Sequence, residues 1–163
     1  MIPSLFNRHT SHSHNPPPFY GSEKNQDSLS SLKRAIALAR GEYSLILARC
    51  ESPRLRQNIL KQISASTSLI LQEVNLHPSV VNLLDTLEDV VRSSCADALV
   101  VKGLESVVNL DPLLEEANFI RNAFNRSLHL PVVLWVNEKT LHHMKRIAPD
   151  FSNYGAISIS FES

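Results

Sequence analysis

The side chains able to do chemistry collect where short apolar runs end. Cys50, Glu51, Ser52, Arg54 and Arg56 follow the run Tyr43–Arg49, Glu105 follows Ala98–Lys102 and Gly103, and Asn137 follows Pro131–Val136. In the first cluster Ser52 suits a helix N-cap and Pro53 the first helical position, where a missing N–H costs nothing. Leu55, Ile59 and Ile63 then repeat every fourth residue and give that helix one apolar face. An apolar strand, a short turn and a helix N-terminus together form the geometry of a phosphate-binding loop. The turn itself, Cys50-Glu51-Ser52-Pro53-Arg54, has no glycine and no Gly-Lys-Ser/Thr ending. The scaffold is present and the loop chemistry is missing. Arg54 and Arg56 sit where the helix dipole disfavours cations, and either a bound anion or Glu51 would relieve them. Salt bridges on a solvated helix end are the commoner outcome.

The other clusters are thinner. A magnesium site on a nucleotide hydrolase sheet needs an acid right after its apolar strand, and Lys102-Gly103 stand there instead. Glu105, one carboxylate without a Ser/Thr partner on the first loop, is a weak metal ligand and reads equally as a surface glutamate beside a turn. Asn137 occupies the place of a residue that senses a terminal phosphate, and as a helix N-cap it also has a complete structural role. His142 and His143 lie on the helix that follows, without a nucleophile beside them in sequence. Cys50 at a helix N-terminus has the setting of a lowered pKa, against the more frequent role of a buried structural thiol. His9, His12 and His14 share a polar segment with Pro16-Pro17-Pro18, so any metal ligands there lack preorganised geometry.

The elements that must position these groups alternate. Residues 27–40 read as a helix closed by Gly41, 43–50 as a strand, and 67–76 as a second strand. Pro78 and Ser79 are expected to open the next helix, and 96–104 to form the third strand. Asp111-Pro112 opens another helix, with Leu113, Leu114, Ala117, Ile120 and Phe124 inward. Residues 131–136 form the fourth strand, a helix runs from Asn137 to its stop at Pro149, and 156–161 alternate as a half-exposed strand with Ile157, Ile159 and Phe161 on one side. Five strands alternating with helices specify an α/β three-layer sandwich with a mostly parallel sheet. Ligands on such sheets bind outside the carboxyl ends of the strands. Residues 1–21 read as a disordered or extended tail and 22–163 as one domain.

Sixteen basic and sixteen acidic side chains cancel, which argues against nucleic acid or an anionic membrane as partner. No apolar run spans a membrane, and the first residues lack the long hydrophobic segment of a signal peptide. Cys50 and Cys95 lie on or beside apolar runs and fit a reduced interior rather than a disulfide framework. A cytoplasmic protein is the expectation.

Leu47-Ala48-Arg49-Cys50, Pro53-Arg54-Leu55-Arg56, Ala98–Ser106 and the stretch from Pro131-Val132-Val133-Leu134-Trp135-Val136-Asn137-Glu138 to Ile147-Ala148-Pro149-Asp150-Phe151 resemble a known group. They are similar to the N-terminal P-loop NTPase-like domains of cyanobacterial signalling or scaffold proteins that carry tetratricopeptide or similar repeats. The resemblance covers about residues 24–162. It implies a sheet of the AAA/STAND type with strand order 5-1-4-3-2, in a class that uses ATP binding to switch a scaffold. Departures at the first loop and at the acidic strand end imply a non-catalytic regulatory or protein-interaction module, read as an excised or free-standing copy of that domain. The alternative is an ATP-binding switch or weak ATPase using Ser52, Arg54, Arg56, Glu105 and Asn137 with Mg-ATP. The expected partner is a protein, with no catalytic residue and no metal.

Overall fold

The computed structural model describes residues 21–153 and 156–163, so the expected tail lies outside them except for Gly21. In chain order the elements are α1 (Glu23–Leu38), β1 (Ser44–Arg49), α2 (Pro53–Ser66), β2 (Leu71–Asn75), α3 (Leu83–Arg92), β3 (Ala98–Lys102), a 3-10 turn at Leu104–Ser106, α4 (Leu110–Phe119), α5 (Arg121–Ser127), β4 (Pro131–Val136), α6 (Glu138–Ile147), α7 (Pro149–Asn153) and β5 (Ile157–Ser160). The sheet order is β2-β3-β4-β1-β5, and every pairing is parallel. This is the expected 5-1-4-3-2 order read from the other edge, with no antiparallel strand among the described residues.

Topology assigns the helices to faces. The chain runs from β1 out to the β2 edge, then steps back through β3 and β4 and past β1 to β5. Right-handed crossovers in opposite directions place their helices on opposite faces. Accordingly α2 packs with α1 over Ile46, Ala48, Val100, Val133 and Trp135, while α3 to α7 cover Leu45, Leu47, Val101, Leu134 and Val136. The central strands are buried along their length, as two covered faces require. α1 is tied to the end of the chain by Asn25, whose side chain donates to the Glu162 carbonyl (2.6 Å) and accepts from its N–H (2.7 Å).

Several boundaries differ from the sequence reading, each for a local reason. α1 begins four residues early, because Ser22 accepts from the Asn25 N–H and caps it. Residues 78–82 form no helix: Ser79 is engaged with the His77 ring and Val80 N–H with the His77 carbonyl, so α3 waits for its cap at Asn82. The helix after Asp111 breaks at Ile120, which separates α4 from α5. Pro149 stops α6 and starts α7, consistent with proline at a first helical position. On β5, Ile159 and Phe161 are buried but Ile157 is exposed. Gly103 has φ +95, and a Cβ there would lie 3.0 Å from the Leu76 carbonyl oxygen, so β3 ends where only glycine fits.

Candidate functional site

The strand order makes the carboxyl ends of β1, β3 and β4 the place for a ligand, since the chain leaves β1 in one direction and returns in the other. The β1–α2 turn is short and internally occupied. Ser52 caps α2 by accepting from the Leu55 N–H at 3.2 Å, and its carbonyl takes the Arg56 N–H at 3.0 Å. Pro53 has no N–H, so in this first turn the Arg54 N–H alone is left untaken among the described residues. Glu51 reaches across, and its carboxylate accepts the Glu138 N–H at the start of α6 at 2.6 Å. A chain carboxylate thus fills the position an anion would take at that helix.

Arg56 is turned inward. Its Nε donates to the Cys50 carbonyl at 3.0 Å, and one terminal nitrogen donates to Glu105 at 3.0 Å. The guanidinium lies 5.7 Å from the centre of the Trp135 ring, within cation–π range. The Arg56 side chain is 9% exposed and that of Glu105 30%. Glu105 is therefore not a free surface glutamate; it neutralises a buried cation. The Trp135 indole N–H is buried with no partner among the described residues. Asn137 accepts from the Thr140 N–H at 2.7 Å and caps α6, as its sequence position foretold.

These five residues do not converge. Ser52 and Arg54 border an open recess of about 410 Å³ shared with Asn25, Asn58 and Glu162. Glu105 and Asn137 border a different groove of about 540 Å³, together with Leu110, Lys139, Thr140, His142, His143 and Arg146. Arg56 is buried and lines neither recess, and of the other four its side chain bonds only Glu105. The groove also holds an arrangement that pattern reading missed: His143 Nε2 pairs with the Asp111 carboxylate, while Nδ1 faces the Arg146 guanidinium at 3.0 Å. An arginine can only donate, so Nδ1 accepts and Nε2 carries the proton toward Asp111. The reading of Asp111 as a cap is corrected, since α4 starts at Leu110 after Asn109, and the distance of Asp111 from His143 in sequence left no local sign of the pair. Among the described residues no group of three or more His, Cys, Asp or Glu side chains is placed to hold a metal ion.

Cys50 is fully buried, and burial pushes its thiol up in pKa against the smaller pull of the Ser52 backbone and Arg56. Of the two readings of Cys50, the buried structural thiol is the one the structure agrees with: loss of hydration outweighs the helix terminus. Cys95, expected in the interior, is exposed.

This architecture is an α/β fold with a five-stranded, all-parallel sheet, and it is shared with a solved structure. The solved structure of a DNA replication initiation factor matches 88% of this chain at 13% identity with a TM-score of 0.54, and 48% of its own length is covered. The Aeropyrum pernix ORC1 protein in complex with DNA matches at 12% identity, 85% of this chain, 45% of that one and a TM-score of 0.49. The ADP form of the Aeropyrum pernix ORC2 protein matches at 12% identity, 91% of this chain, 50% of that one and a TM-score of 0.47. The chain spans about half the length of these proteins. No family model matches the sequence, and no curated protein matches it. Among the described residues no helix is long and apolar enough to cross a membrane.

Proposed function

We propose that the chain is a non-catalytic regulatory or protein-interaction module on a degenerate P-loop NTPase-like scaffold. The observation that carries this reading is the committed state of the β1–α2 turn. Pro53 and the Ser52 cap leave too few converging N–H donors to cradle phosphates, Glu51 repels them, and Arg56 is spent on Cys50 and Glu105. A triphosphate would lose several backbone contacts and its lysine, on the order of several kcal/mol, which leaves at best about millimolar affinity. Mg-ATP does not fit the residues present. The proposed partner is a protein in the cytoplasm rather than nucleic acid, in keeping with the cancelling charges. The DNA in the ORC1 structure belongs to that protein.

A second reading, an ATP-binding switch, draws on one observation: Arg54 is exposed at the α2 N-terminus, on an open recess shared with Asn25 and Asn58, and has no ion-pair partner among the described residues. Thermal unfolding with and without millimolar Mg-ATP, ADP and GTP separates the two. Ligand at a hundred times its dissociation constant stabilises by about 2.7 kcal/mol, several degrees at this size. No shift is expected. A clear shift, abolished by Arg54→Ala, would replace the scaffold reading by the switch.

A further inference from the structure

At the amino ends of the strands, away from the candidate site, lies a cavity of about 210 Å³ lined by Tyr43, Ser44, Arg121, Asn122, Asn125, Asp150 and Phe151. We propose that this cavity binds a small, neutral, planar heteroaromatic molecule, of the nucleobase or aromatic-amide class. Four observations carry this assignment.

The first is an aromatic wall. Tyr43 and Phe151 flank the cavity, and Phe124, buried behind the lining, backs both rings, 5.9 Å from the Tyr43 ring centre and 5.0 Å from that of Phe151. Such a wall favours a flat ring through dispersion and offset or tilted ring packing. The second is uncommitted polarity. The Tyr43 and Ser44 hydroxyls and the Asn122 and Asn125 amides line the cavity without a side-chain hydrogen-bond partner among the described residues. An asparagine amide presents a donor and an acceptor side by side, the pattern that pairs with the edge of a base or an amide. Tyr43 is half-buried, and desolvation raises the pKa of its phenol, so it offers an O–H rather than a charge.

The third is charge. Arg121 and Asp150 face each other across 3.9 Å and cancel, so neither a carboxylate nor a cation gains a net attraction. The fourth is rigidity. Asn118 accepts from the N–H groups of Asp150 and Phe151 at 2.9 Å each, and its carbonyl accepts from Arg121 at 3.1 Å. The break at Ile120 turns α5 toward the start of β1, and Asn118 clamps α7 beside it, so the walls stand in place before any ligand arrives. Preorganisation of this kind lowers the cost of binding. The volume falls below the roughly 300–1,000 Å³ of drug-sized sites, which limits the occupant to one or two fused rings.

The test is saturation-transfer NMR on the intact chain with adenine, uracil, nicotinamide, benzoate and benzamidine as probes at millimolar concentration. The neutral heteroaromatics are expected to receive saturation and the two charged rings to fail as competitors. Asn122 and Asn125 are exposed, so the double variant Asn122→Ala/Asn125→Ala should fold, as circular dichroism would verify. It is expected to weaken binding on the order of tenfold or more, as for the loss of two hydrogen bonds, and Tyr43→Phe to weaken it less. Absence of saturation for all probes overturns the proposal. Preference for benzoate or benzamidine overturns the neutral class, and unchanged binding in the folded double variant overturns the location.

Discussion

Arg56 is the side chain whose removal tests the reasoning most directly. In Arg56→Ala three interactions disappear together. The charged hydrogen bond to the Cys50 carbonyl is worth about 1.5–3 kcal/mol. The contact with the Trp135 ring adds about 0.5–1 kcal/mol. The pair with Glu105 must be discounted, because that side chain is 30% exposed and regains water once freed, so it contributes about 0.5–1 kcal/mol as surface pairs do. The expected loss is about 2.5–5 kcal/mol, similar to that for breaking a fully buried pair. At this chain length that is a fall of about 5–20 °C in Tm. Urea titrations followed by circular dichroism would read it, with Glu105→Gln and the double variant completing a cycle. Glu105→Gln alone should cost under about 1 kcal/mol, since Arg56 keeps its carbonyl and its ring. A loss below about 0.5 kcal/mol for Arg56→Ala would show that the guanidinium is not committed to the fold. It would then be free to meet a phosphate, and the scaffold reading would lose its main support.

Three further outcomes follow from the same coordinates. Gly103→Ala combines a left-handed backbone with a Cβ 3.0 Å from the Leu76 carbonyl, whereas Gly41→Ala meets nothing within 4 Å at φ +83. Gly41→Ala should therefore cost about 1–2 kcal/mol for conformation alone, and Gly103→Ala clearly more, in parallel denaturant titrations; equal costs would remove the close approach as the reason for Gly103. Burial raises the pKa of the Tyr43 phenol in the folded chain, so the folded state holds that proton more tightly than the unfolded state. The resulting stability is present below the unfolded value near pH 10 and is lost as pH climbs above it, by up to about 1.4 kcal/mol per pH unit. Tyr43→Phe should flatten the fall of stability between about pH 9.5 and 11.5, and an unchanged slope would refute the assignment. In a thiol titration of the native protein Cys95 should react promptly and Cys50 only on unfolding; comparable rates would restore Cys50 as a reactive thiol.

What could be read from the sequence was what short range decides. Apolar runs and caps placed β1, β4, α2 and α6 almost residue for residue, because Ser52 and Asn137 each act on a backbone N–H three residues away. The strand order came from the family resemblance, since no local pattern states which parallel strands are neighbours. The fates of the candidate residues were nonlocal. Arg54 and Arg56 are two apart, yet a helix sends them in different directions, one to solvent and one beneath Trp135. The partner of Arg56 lies forty-nine positions on, and that pairing converts two apparent ligand residues into one structural lock. Glu51 shows the same effect: a residue read as local relief for two arginines instead takes the first N–H of α6 across the sheet. A helix N-terminus and a buried guanidinium are both costly without a negative charge beside them. Glu51 and Glu105 are the carboxylates that supply that charge from within the chain. Both carboxylates thus belong to the network that ties the strand ends together.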